Sequence, residues 1–123
     1  NRCRIMTEPY KHFLKYVQSD SVKFLQNWNA QDKIDLLYID TGYMHPLEPT
    51  ALIQLNEVRE IVKRDLLAPN GIILIDDVRN QTPKRFGEKS DLGKSKYALP
   101  YLLENGYEVI LDGYQVLLQK LNP

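Results

Sequence analysis

Gly71-Ile72-Ile73-Leu74-Ile75-Asp76-Asp77-Val78 decides the fold, because four consecutive large apolar residues run directly into two carboxylates. An unbroken β-branched and leucine run, in place of an alternating one, reads as a strand buried on both faces, and such strands belong to parallel sheets covered by helices. Ile72–Ile75 is therefore expected as a central strand. Ile34-Asp35-Leu36-Leu37-Tyr38-Ile39-Asp40 repeats the design upstream, again apolar and again ending in a carboxylate, at the spacing of about thirty residues that one βαβ crossover spans. Parallel neighbours would bring Asp40, Asp76 and Asp77 to one carboxyl edge, where open α/β sheets bind ligands.

Working outward, the residues between the two strands read as their crossover. Thr41–Pro49, with Gly42, Pro46 and Pro49, is a loop over the carboxyl ends. From Thr50 to Leu67 the apolar residues Leu52, Leu55, Val58, Ile61, Val62 and Leu66 recur at helical spacing, and Pro69-Asn70-Gly71 stops that helix. Upstream, Asp20 in Gln18-Ser19-Asp20-Ser21 offers an N-cap for a short helix bearing Val22, Leu25 and Trp28 on one face. Phe13-Leu14-Lys15-Tyr16-Val17 has strand composition, and Pro9 argues against a helix through Asn1–Lys11. Downstream, Arg79–Lys96 holds six Lys or Arg against two acids and reads as a long basic loop. A helix is expected from about Ser95 to Asn105, bent at Pro100 and closed by Gly106. Tyr107–Leu111 and Tyr114–Gln119, separated by Asp112-Gly113, predict an antiparallel hairpin.

Composition limits what such a fold serves. The 123 residues suit one domain with one core. Sixteen basic residues balance sixteen acidic ones, so no global field favours nucleic acid or a membrane surface, and no apolar run approaches the roughly 18–20 residues of a transmembrane helix. Cys3 is the single cysteine and forms no intramolecular disulfide, which fits a reducing, cytoplasmic setting. Zinc-ligand spacing, a nucleophile elbow and a P-loop are all absent from the sequence.

The three acids are the chemical feature. Hard cations such as Mg²⁺ take oxygen ligands, and converging carboxylates in a partly dry cleft are unfavourable until a cation or protons neutralise them. A bound Mg²⁺ would hold a substrate hydroxyl, lower its pKa and align its oxygen for in-line displacement. The plainer alternatives are that Asp76 or Asp77 caps a turn while Asp40 binds backbone amides, or that a carboxylate acts on substrate directly. His45 lies in the right loop to serve as base or ligand, against the alternative of a solvated side chain. The basic residues of Arg79–Lys96 either close over an anionic substrate or are simply solvated. Tyr43, Tyr97 and Trp28 either stack on a ligand or fill the core.

The order of strand, Asp20-Ser21, helix, Asp40-ended strand, crossover helix, Asn70-Gly71, strand ending in Asp76-Asp77, helix and closing hairpin resembles the second half of a class I S-adenosylmethionine-dependent methyltransferase. Within that superfamily it is most similar to the metal-assisted small-molecule O-methyltransferases, including the macrocin O-methyltransferase group. The resemblance implies an α/β, Rossmann-like, mostly parallel sheet with helices on both faces and a C-terminal antiparallel hairpin, spanning 1–123. It implies methyl transfer to a small-molecule hydroxyl, with Asp40, Asp76 and Asp77 on a divalent cation such as Mg²⁺, Asp20 and Ser21 near the cofactor adenine, Asp40 touching cofactor as well as metal, and Asp40 and His45 as catalytic residues. Some relatives carry a further acid two residues after the first metal-binding Asp; that position is Gly42 here. The family's glycine-rich loop and ribose-binding acid have no counterpart, so the chain is expected to be part of a longer protein whose N-terminal strands are missing. The alternative is a non-catalytic Rossmann-like binding or assembly module; a homo-oligomer is left open.

Overall fold

The computed structural model describes residues 6–42, 46–78 and 92–121. Its sheet has four strands, β1 (Ile34–Ile39), β2 (Leu67–Ile75), β3 (Tyr107–Asp112) and β4 (Val116–Lys120), in the order β1-β2-β4-β3. Among the described residues three α-helices, α1 (Ser21–Asn27), α2 (Leu47–Lys63) and α3 (Ala98–Glu104), complete a mixed α/β architecture.

β1 and β2 are parallel neighbours as expected, with Leu36 opposite Ile72 and Ile39 opposite Ile75. β4 pairs antiparallel with β2 and with β3. The sheet is consequently mixed, with one parallel pair, not mostly parallel. The hairpin folds its second strand inward against β2, which leaves β3 on the outer edge.

Helices cover one face of the described sheet, not both. α1 and α3 each pack on α2, forming one layer over Ile39, Ile73, Ile75, Val116 and Leu118, all buried with Val58, Ile61, Leu66 and Leu102. On the opposite face Leu36 is 61% and Tyr38 51% exposed, beside half-buried Ile72, Leu74 and Leu117. The apolar run of β2 is thus buried fully on one side and partly on the other.

Several boundaries move for local reasons. α2 starts at Leu47, three residues before the expected Thr50. Pro46 and Pro49 do not exclude it, because first-turn N–H groups have no intrahelical acceptor to lose. Its end is set earlier than Pro69-Asn70-Gly71: Asp65 adopts a left-handed φ of 51°, and the Leu66 N–H to Ile61 O (3.0 Å) and Asp65 N–H to Val62 O (3.2 Å) bonds complete a Schellman closure. Asp is among the few non-glycine residues that tolerate this geometry. Pro69-Asn70-Gly71 instead lies inside β2, where the pairing slips between Ile34/Leu67 and Leu36/Ile72. A Cβ on Gly71 would stand 2.8 Å from the Ala68 carbonyl oxygen, so that irregularity requires glycine.

Asp20 caps α1 as expected, accepting from Lys23 N–H at 3.0 Å. Leu25 is buried and Phe24 and Trp28 pack beside it, while Arg64 donates to Leu25 O and, at 2.6 Å, to Trp28 O, fastening α1 to the end of α2. Phe13–Val17 is not a strand. Glu8–Phe13 forms a 3₁₀ helix with Pro9 in its first turn and Leu14 after it is extended, and residues 14–18 form no strand of the described sheet. Pro100 falls in the first turn of α3 and so does not break it; Gly106 follows with φ 89°. The two-residue hairpin turn is a longer connection, with Gly113 N–H bonded to Gln115 O at 3.1 Å and Val78 N–H to Tyr114 O at 3.1 Å. The loop is drawn toward the end of β2.

Candidate functional site

Pairing of Ile39 with Ile75 sets Asp40 and Asp76 side by side at the carboxyl ends of β1 and β2, and Asp76 N–H closes the ladder on Ile39 O at 2.9 Å. Asp77 follows in a left-handed backbone, φ 52°, its N–H bonded to Asp76 Oδ1 at 2.8 Å. One oxygen from each of the three carboxylates lies within 4.8 Å of the others. A hard cation holding oxygens at roughly 2.1–2.5 Å spans ligand separations up to about twice that radius. The donor set therefore fits such an ion.

The cluster is also held from outside. Tyr38 donates its hydroxyl proton to Asp76 Oδ2, and Tyr114 donates to Asp77 Oδ1. The bond to Asp76, with loss of solvent and the nearby negative charges of Asp76, Asp40 and Asp77, pushes the Tyr38 phenol up to about 12. In return Asp76 is held below the ordinary carboxylate range, chiefly by the Tyr38 bond, with further help from Gln115, the Asp77 N–H and the charge of Lys94.

Lys94, from the basic stretch read as either closing over an anionic substrate or solvated, is 1% exposed. Its Nζ stands 3.2 Å from Asp40 Oδ1 and 3.8 Å from Asp77 Oδ2, while those carboxylates remain 49% and 36% exposed. The acids thus hold an internal ammonium on one side and face water on the other. Lys96 from the same stretch pairs with Glu48, which also accepts from Tyr97 at 2.5 Å. Arg79, Lys84, Arg85 and Lys89 lie outside the described residues, as do Tyr43 and His45.

Beside Asp40 a cleft of about 290 Å³ is lined by Ser21, Phe24, Tyr38, Thr41 and Glu57 among others. Glu57, 6% exposed, accepts from Ser21 Oγ and from Thr41 Oγ1, each at 2.5 Å, so one carboxylate ties α1, the end of β1 and α2 together. The structure brings Ser21 and Asp40 to one cleft; Asp20 is spent on the helix cap and does not line it. Glu57 and Tyr114 escaped the sequence reading, as did the burial of Lys94 against Asp40 and Asp77. Glu57 alone carried a signal, a charged residue on the stripe Gln54, Glu57, Val58 and Ile61 that faces the core.

Gly42 has φ 51°, and a Cβ there would meet Thr50 Oγ1 at 3.1 Å and Cγ2 at 3.2 Å. An acid two residues beyond Asp40 would be strained by backbone and by contact.

No protein-family model, no curated protein and no solved structure matches this chain.

Proposed function

We propose that this domain supplies the carboxylate and cation-binding part of an S-adenosylmethionine-dependent O-methyltransferase acting on a small-molecule hydroxyl. The observation that carries the reading is the convergence of Asp40, Asp76 and Asp77 at the ends of two adjacent parallel strands. Further support comes from the Rossmann-like sequence of elements: a helix capped by Asp20, β1 ended by Asp40, a crossover helix, β2 ended by Asp76-Asp77, a helix and an antiparallel hairpin. Asp40, Asp76 and Asp77 would hold Mg²⁺, which when bound supplies Lewis acidity toward a substrate hydroxyl. Lys94 limits the charge the acids carry, and Tyr38 and Tyr114 fix the Asp76 and Asp77 carboxylates in place. The cleft bounded by Phe24, Tyr38, Ser21 and Glu57 offers aromatic walls and polar acceptors suited to a purine. Ser21 is the residue of the Asp20-Ser21 pair placed to meet it.

A second reading, a non-catalytic Rossmann-like binding or assembly module, is favoured by Lys94, which already neutralises two of the acids. Calorimetric titration of Mn²⁺ and Mg²⁺ into the chain and into Asp40→Asn and Asp76→Asn separates the two. The first reading expects one saturable cation site that both substitutions remove, with S-adenosylmethionine bound weakly or not at all by this chain alone, which lacks a counterpart of the glycine-rich loop. Absence of cation binding to the unsubstituted chain leaves the module reading standing.

A further inference from the structure

α2 buries more polar side chain than Glu57 alone. Thr50, Gln54 and Glu57 recur at four- and three-residue steps, so they share one face of the helix, and all three are buried. Both ends of that stretch lie against the residues that follow Asp40: a Cβ on Gly42 would meet Thr50, and Thr41 donates to Glu57. Gln54, between them, is therefore held beside the end of β1, on the helix against which the 3₁₀ turn Gly93–Ser95 packs. Glu57 meets two hydroxyl donors there. Gln54 is 0% exposed, and among the described residues neither its Oε1 nor its Nε2 has a hydrogen-bond partner; the same holds for Ser95 Oγ, on a residue also 0% exposed.

A buried amide or hydroxyl stripped of water and given no replacement costs more than a formed hydrogen bond returns, and native folds seldom leave such groups unmatched. The surroundings here are polar. Lys94 adjoins Ser95 in sequence, and its side chain is as enclosed, at 1% exposed. An ammonium has three protons to donate; Asp40 takes one at 3.2 Å, while Asp77 Oδ2 at 3.8 Å pairs by charge beyond hydrogen-bond reach. An ammonium, an amide with both of its functions open and a hydroxyl thus meet in the layer between α2 and the turn. Internal water requires two to four polar partners, and these three groups supply donors and acceptors alike.

We propose that ordered water is a built-in part of the fold between α2 and the Gly93–Ser95 turn, donating to Gln54 Oε1, accepting from Gln54 Nε2 and from the Lys94 ammonium, and bonding to Ser95 Oγ. This water ties the internal cation of the acidic cluster to α2, a support that its contacts with Asp40 and Asp77 do not provide. Gln54 and Ser95 are then positioning residues for Lys94. The inference stands on burial and hydrogen-bond valence, independently of methyl transfer.

A crystal structure of the unsubstituted chain, at a resolution that shows ordered water, tests the site directly. Density for water within hydrogen-bond distance of Gln54 and Ser95 is expected; dry packing, or a protein group bonded to both side chains in its place, overturns the proposal. Thermal unfolding of Gln54→Met, Ser95→Ala and the double variant tests the energetics. A dry, orphaned amide predicts that Gln54→Met, of similar size, raises Tm, because it removes uncompensated polar burial. Bound water predicts the opposite sign, a fall of roughly 3–6 °C. It also predicts that the double variant loses clearly less than the two single losses together, since either substitution already dislodges the shared water. A Tm of Gln54→Met that is unchanged or raised overturns the proposal, as do strictly additive losses. Should the variants fail to fold, the crystal structure of the unsubstituted chain decides alone.

Discussion

Replacing Lys94 by methionine removes the internal cation of the acidic cluster while keeping an unbranched side chain that fills most of its space. At an effective dielectric of about 20, an ammonium 3.2 Å from Asp40 and 3.8 Å from Asp77 gains a gross attraction of roughly 4–5 kcal/mol per pair. Two effects reduce that figure. Burying the lysine costs several kcal/mol, and both carboxylates keep a third to a half of their surface in water, which screens them. Methionine also recovers the desolvation cost, so the net loss at pH 7 in EDTA is about 2 kcal/mol, or roughly 6–10 °C in Tm for a domain of this size. Divalent cation should then stand in for the ammonium: 10 mM Mg²⁺ is expected to raise the Tm of Lys94→Met by several degrees more than that of the unsubstituted chain. Thermal unfolding followed by circular dichroism, with and without Mg²⁺, measures both quantities. A variant as stable as the parent in EDTA would refute the electrostatic account, and equal Mg²⁺ responses would refute the competition between lysine and metal.

Glu57→Ala leaves the hydroxyls of Ser21 and Thr41 without their acceptor and should cost about 2–3 kcal/mol; urea denaturation checks it, and Glu57→Gln should recover part of the loss. Tyr38→Phe should raise the Asp76 pKa, read by carboxyl NMR titration in EDTA. Because Asp76 is depressed in the fold, its contribution to stability is present above the ordinary aspartate pKa and fades as pH falls through the folded value. The stability difference between Tyr38→Phe and the parent should accordingly be largest near neutral pH and vanish in acid. Gly42→Ala, forced to φ 51° against Thr50, should cost about 1–2 kcal/mol, measurable in the same denaturant series.

The parallel pair and its acids were legible because they rest on local signals: uninterrupted apolar runs and carboxylates at their ends. Asp40 and Asp76 need only the strand register to meet. Asp20 as a cap and Gly106 as a helix end were likewise visible in a few neighbouring residues. What escaped depends on distant partners. Nothing near Lys94 in sequence announces that a basic stretch returns to bury one ammonium against Asp40, 54 positions away, and Tyr114 reaches Asp77 only because the hairpin loop folds over the end of β2. The Phe13–Val17 run has strand composition, but propensity alone does not make a strand, and in the fold Phe13 closes a 3₁₀ helix and residues 14–17 join no strand of the described sheet. One open face was equally hidden, since a run such as Ile72–Ile75 reads the same whether one of its sides is covered by helices or both are.

Asp77 stands where the backbone is left-handed, a conformation that costs most side chains about 1–2 kcal/mol and glycine almost nothing. Selection that rewarded only folding would let this position drift to glycine, with asparagine as the next tolerated residue. Selection on what the carboxylate holds would retain aspartate against that drift. The residues accepted at 77 in a library sorted once for solubility and once for cation binding would thus report, from a single codon, which of the two pressures shaped the end of β2.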